Sequence, residues 1–275
     1  MSDEMRIGNE VFLKNGHTYV MGILNVTPDS FSDGGKYISV NEALQHARQM
    51  VIEGADIIDI GGESTRPGHI QISDEEEIER IVPVIEAVKK HLDVPVSVDT
   101  YKSRVAKAAI DAGADMVNDI WGLKYDPDMA KVIGDAGVAC CLMHNRNDMD
   151  YKDFMKDCLD DLRETIALAK AGGIIDENIV LDPGVGFAKT YEQNLIVMKH
   201  LEEFNSLGYP MLLGTSRKSM IGLTLDLPAD QRVEGTIATT VMGVMAGMSF
   251  VRVHDVAANS RAIQMTEAIL KVREE

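Results

Sequence analysis

A chain of 275 residues, 45% of them hydrophobic, can bury one sizeable core, and α/β barrels of about 250 residues fold as single units. A formal net charge of −17 and a pI near 4.8 argue against nucleic acid or an anionic membrane as the main partner. They leave room for a small anionic substrate held at short range by a local basic cluster. No stretch approaches the roughly 20 apolar residues that span a bilayer. The segment Met1 to Arg6 is polar and has no apolar signal core, so a cytoplasmic location is expected. Cys140, Cys141 and Cys158 lack zinc-finger spacing. The first two lie in the apolar run Val138–Met143 and are read as buried thiols, not as a disulfide or metal site.

Along the chain, residues 5–17 read as a short hairpin ahead of the first long strand, placed to cover the bottom of a barrel. Short β-branched or apolar runs then alternate with longer segments of helical period. Strand Tyr19–Asn25 precedes helix Val40–Glu53, and Asp56–Ile60 precedes Asp74–His91. Pro95–Asp99 is followed by Lys102–Ala112, and Met116–Asp119 by Asp126–Ala136. Val138–Met143 leads to Asp153–Ala171, and Ile179–Leu181 to Tyr191–Ser206. Met211–Gly214 leads to Gly235–Ala246, and Phe250–His254 to Asn259–Val272. Gly54, Gly113 and Gly137 suit helix-ending positions with φ > 0. Ser73 with Glu76 has the form of a capping box. Eight strand-then-helix units predict an α/β fold, a single (β/α)8 TIM barrel over residues 1–275. The alternative is a doubly wound open sheet, but its G-x-G-x-x-G after the first strand is missing.

In such a barrel the chemistry sits at the C-terminal strand ends. Here those ends carry Asn25, Asp99, Asn118, Asp182 and His254. With a side-chain period of two, Ser97 shares a face with Asp99, Met116 with Asn118 and Ile120, Val180 with Asp182, and Arg252 with His254. An Asp closing the apolar run Val94–Asp99 needs a partner or solvent. For any one of these residues a helix N-cap is the competing explanation. The loops Asn25–Gly35 and Gly61–Gly68 are polar and glycine-rich, suited to closing over a ligand or simply to facing solvent. Gly214-Thr-Ser-Arg-Lys-Ser219 lacks the second glycine of a Walker A loop. Even so, Arg217, Lys218, Arg252 and His254 gather around the last two strands, the usual phosphate region of these barrels. Gly235-Thr236 would add backbone donors or pack tightly. Gly184-Val-Gly186 reads as a tight turn, Trp121 as packing, and His144 as a loop donor before a ligand.

Gly22-Ile-Leu-Asn-Val-Thr-Pro-Asp-Ser-Phe-Ser-Asp-Gly-Gly35 resembles the first signature of the dihydropteroate synthase family, and Asp59-Ile-Gly-Gly-Glu-Ser-Thr-Arg-Pro-Gly68 the second. Val98-Asp-Thr100, Asn118-Asp-Ile120, Leu181-Asp-Pro-Gly184, Gly214–Ser219 and Val251-Arg-Val-His-Asp255 extend the likeness from about residue 20 to 255. The long ungapped first motif makes it specific. One departure is Gly186-Phe-Ala-Lys189, where family members commonly read Gly in place of Ala188.

The resemblance implies transfer of the 7,8-dihydropterin-6-ylmethyl group from its diphosphate to 4-aminobenzoate. Pyrophosphate leaves and dihydropteroate, a folate precursor, forms. It implies that Asp182, Asn118, Asp99 and Lys218 hold the pterin edge, with Ile120 and Met143 lining the apolar side. Arg252, His254 and Thr65 would meet the ring and diphosphate, and Asn25 would ligate Mg²⁺. Asp99 would stabilise a cationic pterin methylene, with Lys218, Arg66 and Asp33 completing the catalytic set. Phe31, Pro67, Phe187, Lys218 and Ser219 would form the aminobenzoate pocket, where sulfonamides would also bind. A homodimer through the later helices is expected on the same basis. The rival functions are a methyltetrahydrofolate corrinoid methyltransferase sharing the barrel and pterin pocket, and a non-catalytic pterin-binding homologue. The two full loop motifs weigh against the first, and Lys218, Arg66 and Asp99 against the second.

Overall fold

The fold is taken from a computed structural model, which describes residues 4–13, 16–26, 40–63 and 71–272. Strands β1 (Glu4–Ile7) and β2 (Glu10–Leu13) pair antiparallel as a hairpin. Eight parallel strands come next: β3 (Tyr19–Asn25), β4 (Ile57–Gly61), β5 (Val96–Asp99), β6 (Met116–Asp119), β7 (Ala139–Met143), β8 (Ile179–Asp182), β9 (Leu212–Leu213) and β10 (Phe250–Val253). Their order is β8-β7-β6-β5-β4-β3-β10-β9, and a parallel bridge from Leu181 to Met211 brings β8 beside β9. The sheet therefore closes on itself, and the barrel expectation holds over the open sheet.

Helices α1 (Val40–Glu53), α2 (Asp74–His91), α3 (Ser103–Asp111), α4 (Met129–Ala136), α5 (Phe154–Ala171), α6 (Tyr191–Lys199), α7 (Ser219–Leu225), α8 (Val233–Met245) and α9 (Val256–Leu270) surround it. Among the described residues no helix is long and apolar enough to cross a membrane. Each of the eight barrel strands is buried on both faces, as a barrel under a helical layer requires. Outward side chains such as Ile58, Ile60, Val96, Val98, Val117, Leu142, Leu181 and Val251 pack with the helices in one large core. Inward side chains form a second, smaller core: Met21, Ile57, Met116, Ala139, Cys141, Val180, Leu212 and Phe250. Met5, Ile7 and Phe12 of the hairpin join it from below. The hairpin is thus an apolar plug at the N-terminal end of the barrel.

Because side chains alternate, the next inward position toward the C-terminal end lies two residues further on. There Ile57 gives way to Asp59, Ser97 to Asp99, Met116 to Asn118, Val180 to Asp182 and Phe250 to Arg252. A charged and amide layer sits directly on the apolar one.

Local signals behave as their chemistry dictates. Gly54, Gly113 and Gly137 have φ of 102, 108 and 67° after their helices. Ser73 caps α2 by accepting from Glu76 N at 3.1 Å, while the Glu76 carboxylate turns to Arg80. The reciprocal box forms instead at Thr190 and Gln193, at the start of α6. The helix expected over 191–206 breaks at His200, and Leu201–Leu207 continues as 3-10 turns. A period of three stacks Leu201, Phe204 and Leu207 on one face against the core, which an α period would splay. The short α7 was not expected from the periodicity. Its seven residues include Gly222, and its buried face is Met220, Ile221 and Gly222.

Gly134 in α4 lets the α4 and α5 backbones touch: a Cβ there would lie 2.2 Å from the Gly172 carbonyl oxygen. Gly134→Ala is therefore expected to lose about 1–3 kcal/mol through overpacking, measured as a fall in the urea midpoint at unchanged slope.

Candidate active site at the barrel mouth

The polar layer is organised by one guanidinium. Arg252 Nε donates to Asp59 Oδ2 at 2.6 Å, and Nη2 donates to Asp99 Oδ2 at 2.6 Å. Asn118 Nδ2 also donates to Asp59 Oδ2, at 3.3 Å. All three acids and amides are buried. The second oxygens Asp59 Oδ1 and Asp99 Oδ1, with Ser97 Oγ beneath them, have no hydrogen-bond partner among the described residues. Buried acceptors without partners are costly, so this layer is set to receive donors from a ligand.

The charges shift one another. Burial pushes the Asp99 carboxyl up to about 7, opposed by Arg252 and reinforced by Asp59 and Glu77. Burial also raises Asp182, whose Oδ1 accepts from Gly184 N at 2.7 Å. The Lys218 ammonium is lowered to about 8 by burial, against the attraction of Asp182. Its Nζ lies 4.0 Å over the Phe187 ring centroid, a cation–π contact. Arg252 stays protonated throughout, its burial outweighed by Asp59 and Asp99.

Ile120, Met143 and Phe187 form a small apolar cluster with Tyr101 and Trp121 beside this layer. Asn25 ends β3, and a Cβ built on Gly61 would stand 3.5 Å from both Asn25 Oδ1 and Asp99 Cβ. His254 ends the β10 side and shares Ser216 Oγ, which lies 2.9 Å from its Nδ1. Ser219 opens α7 at the surface, next to Lys218. Phe31, Asp33, Thr65, Arg66 and Pro67 lie outside the described residues.

One expectation changes. Arg217 is held by Asp255 at 2.7 Å from Nη2, so it serves the α9 entrance more than the cationic cluster. Of the two readings of Gly235, tight packing holds, since its Cβ would meet Ile221 Cγ2 at 2.2 Å. His144 is a donor from the loop after β7, as read, but a buried one: it is 1% exposed and lies 2.9 Å from Asp161 and 2.8 Å from Lys189.

Asp59 was not among the expected site residues. Its signal was present, because an Asp inside Ile57-Ile-Asp-Ile60 needs a buried partner, and it shares the inward phase of Asp99. Glu63, Glu77 and Lys102 were missed as well. Lys102 Nζ reaches Glu63 at 2.6 Å and Glu77 at 2.8 Å, all three buried, at the end of β4. Glu77 lay hidden in the acidic run Glu75–Glu77, which reads as a solvated helix start.

Fold and site together define a (β/α)8 barrel whose mouth presents alternating acceptors and donors over an apolar floor. The chain belongs to the pterin binding enzyme family, whose sequence model matches residues 21–254. It is 59% identical over 268 residues to the dihydropteroate synthase of Clostridium beijerinckii, covering 97% of this chain and 100% of that one. A Clostridium difficile dihydropteroate synthase, solved in the presence of pteroic acid, superposes with a TM-score of 0.91 at 53% identity, covering 94% and 99% of the two chains. A Xanthomonas albilineans dihydropteroate synthase with 4-aminobenzoic acid gives 0.94 at 40% identity, covering 99% and 100%.

Arg252→Met would leave Asp59 and Asp99 buried side by side. The expected loss is about 3–5 kcal/mol when both are charged. Arg252 holds the Asp99 pKa down, so without it the carboxyl rises further and keeps its proton to higher pH; the variant's stability goes on falling with pH above about 7, where that of the unmodified protein levels off. Urea unfolding of the variant should thus show a larger deficit at pH 8 than at pH 6.

Proposed function

We propose that this chain is a dihydropteroate synthase, transferring the 7,8-dihydropterin-6-ylmethyl group from its diphosphate to 4-aminobenzoate. The observation that carries this is the polar layer of Asp59, Asp99, Asn118, Asp182 and Arg252 directly above the apolar layer inside the barrel. A pterin edge carries a row of N–H donors and a ring carbonyl, and this layer offers the matching acceptors and donors. We take residues 1–275 as one catalytic domain.

Asp182 accepts from the guanidine-like edge, Asn118 and Asp99 meet the neighbouring ring nitrogens, and Lys218 donates to the carbonyl. Ile120 and Met143 close the apolar side. Arg252 lays its planar guanidinium along the ring while its charge faces the diphosphate. The bond between the methylene carbon and the diphosphate oxygen breaks, and pyrophosphate leaves with the electron pair. The methylene cation left behind is stabilised by the Asp99 carboxylate. The amine nitrogen of 4-aminobenzoate then forms the new C–N bond and releases one proton.

His254 and Thr65 bind the diphosphate, and Arg66 and Asp33 act from the two polar loops. Phe31, Pro67, Phe187, Lys218 and Ser219 form the aminobenzoate pocket. Asn25, whose amide oxygen stands beside the Asp99 strand end, suits Mg²⁺, which takes few protein ligands and keeps water and phosphate oxygens. Among the described residues no His, Cys, Asp and Glu cluster offers an all-protein site. When bound, Mg²⁺ would neutralise charge on the leaving diphosphate.

We place the enzyme in the cytoplasm, where thiols such as Cys140, Cys141 and Cys158, all free and buried, stay reduced. We also take it to be a homodimer through α8 and α9. Met245, Met265 and Ile269 are 67%, 62% and 60% exposed on these two packed helices, an apolar surface that a second copy would cover. Light scattering should give twice the 30.2 kDa chain mass, and Ile269→Glu should reduce it to the monomer. A single-chain mass for the unmodified protein would remove the dimer.

The activity is checked by incubating the protein with the dihydropterin methyl diphosphate, 4-aminobenzoate and Mg²⁺ and following dihydropteroate by chromatography. Magnesium-dependent product is expected. Asp99→Ala should lose at least about tenfold in rate, about 1.4 kcal/mol. In the unmodified enzyme, kcat/KM should fall as pH drops through about 7, where Asp99 takes up its proton. Pterin binding without product would instead mark a non-catalytic homologue.

A further inference from the structure

Among the described residues no carboxylate touches the buried Lys189. It is 8% exposed, and its ammonium makes three contacts: the Gly184 carbonyl at 2.9 Å, the Phe187 carbonyl at 3.1 Å and His144 Nδ1 at 2.8 Å. Three donors meet three acceptors, so the group is fully satisfied. The countercharge lies one ring away. His144 Nε2 is 2.9 Å from Asp161 Oδ2, and Asp161 is in turn held by Arg146. A carboxylate can only accept, so Nε2 carries the ring proton and Nδ1 is free to accept from Lys189. The imidazole is therefore neutral, and burial and the neighbouring Lys189 charge both lower its affinity for a second proton, to about 4. The result is an ion pair transmitted through a neutral ring. Asp182, Asp161, Arg146 and Lys218 are further charged groups that act on Lys189, while the buried Cys158 thiol beside it stays neutral.

What this ammonium ties down is the turn between β8 and α6. That turn is conformationally demanding, with φ of 70° at Gly184, 88° at Gly186 and 45° at Ala188. An alanine in the left-handed region is strained relative to glycine. Ala188 is kept there by Tyr151, whose hydroxyl donates to its carbonyl at 2.8 Å. One end of the turn supplies Gly184 N, which donates to Asp182 at 2.7 Å. The other end supplies Phe187, the ring beneath Lys218. Lys189 grips the carbonyl of each of those two residues.

We propose that Lys189, seated on His144, is a positioning residue that sets the Phe187 ring under Lys218 and so shapes the aminobenzoate side of the pocket. It touches no reacting atom and acts through Phe187. This inference rests on the assignment of Phe187 and Lys218 to the aminobenzoate pocket.

The test compares the unmodified enzyme with Lys189→Met, Phe187→Ala and the double variant. The readouts are the calorimetric Kd for pteroic acid, which fills both halves of the pocket, and KM and kcat for 4-aminobenzoate. Lys189→Met should raise both Kd and KM by roughly tenfold, the scale of a misplaced binding group, with a smaller change in kcat. The double variant should be no weaker than Phe187→Ala alone, because the two changes remove the same contact. A purely structural role would lower the melting temperature and leave Kd and KM near their original values, overturning the proposal. Additive losses in the double variant would overturn it too. If Phe187→Ala itself binds pteroic acid unchanged, the pocket assignment falls, and the proposal with it. That result is distinct from an effect of Phe187→Ala that Lys189→Met fails to share. Should Lys189→Met not fold, His144 gives the second route. His144→Gln can accept from Lys189 and donate to Asp161 and should retain binding, whereas His144→Leu should show the tenfold loss. Equal binding by the two His144 variants would count against Lys189.

Discussion

One guanidinium in the middle of the barrel holds the rest of the site in place. Arg252 projects inward from β10 one step above Phe250, into a layer that also receives Asp59 and Asp99. Two carboxylates at that depth would repel each other and lose hydration, a cost of several kcal/mol per ion. Their mutual tolerance depends on Arg252, whose two donor positions are divided between them. The same arrangement leaves one oxygen of each acid without a partner among the described residues. Stability of the barrel interior and readiness for a polar ligand are therefore two consequences of the same contact.

The apolar layer below makes that arrangement possible. Met21, Ile57, Met116, Val180 and Phe250 fill the barrel, and Met5, Ile7 and Phe12 seal its lower end. Water is excluded from beneath, so charges in the layer above interact through a medium of low polarity. This is why Asp99 is raised and Lys218 lowered toward neutrality. A group whose pKa lies near the working pH can change its charge with the reaction, as acid–base and electrostatic chemistry require.

Buried charge recurs outside the central layer, each time at the foot of a connecting segment. Lys102 joins Glu63 at the end of β4 to Glu77 on α2, and also donates to the Ile72 carbonyl at 2.8 Å. Lys189 joins the β8–α6 turn to His144 after β7. Both lysines hold backbone carbonyls, so their role is to fix chain paths around the mouth. Lys189 stood in the sequence only as the end of the Gly186-Phe-Ala-Lys189 motif, and nothing singled out Lys102.

The barrel itself was legible because its information is local. Short apolar strand runs, helix-ending glycines and the period-two placement of Asn25, Asp99, Asn118, Asp182 and Arg252 depend only on near neighbours along the chain. What local pattern could not supply was partnership across the chain. Asp59 and Arg252 are 193 residues apart, and Asp99 and Arg252 153. The break at His200, the short α7 and the burial of His144 likewise depend on what packs against them. The order of strands and the type of residue at each strand end were thus determined by the sequence alone, since steric and hydrophobic periodicity act over a few residues. Which acid meets which base, and where their protons rest, was decided only when closure of the barrel set eight separate strand ends around one axis and removed them from water.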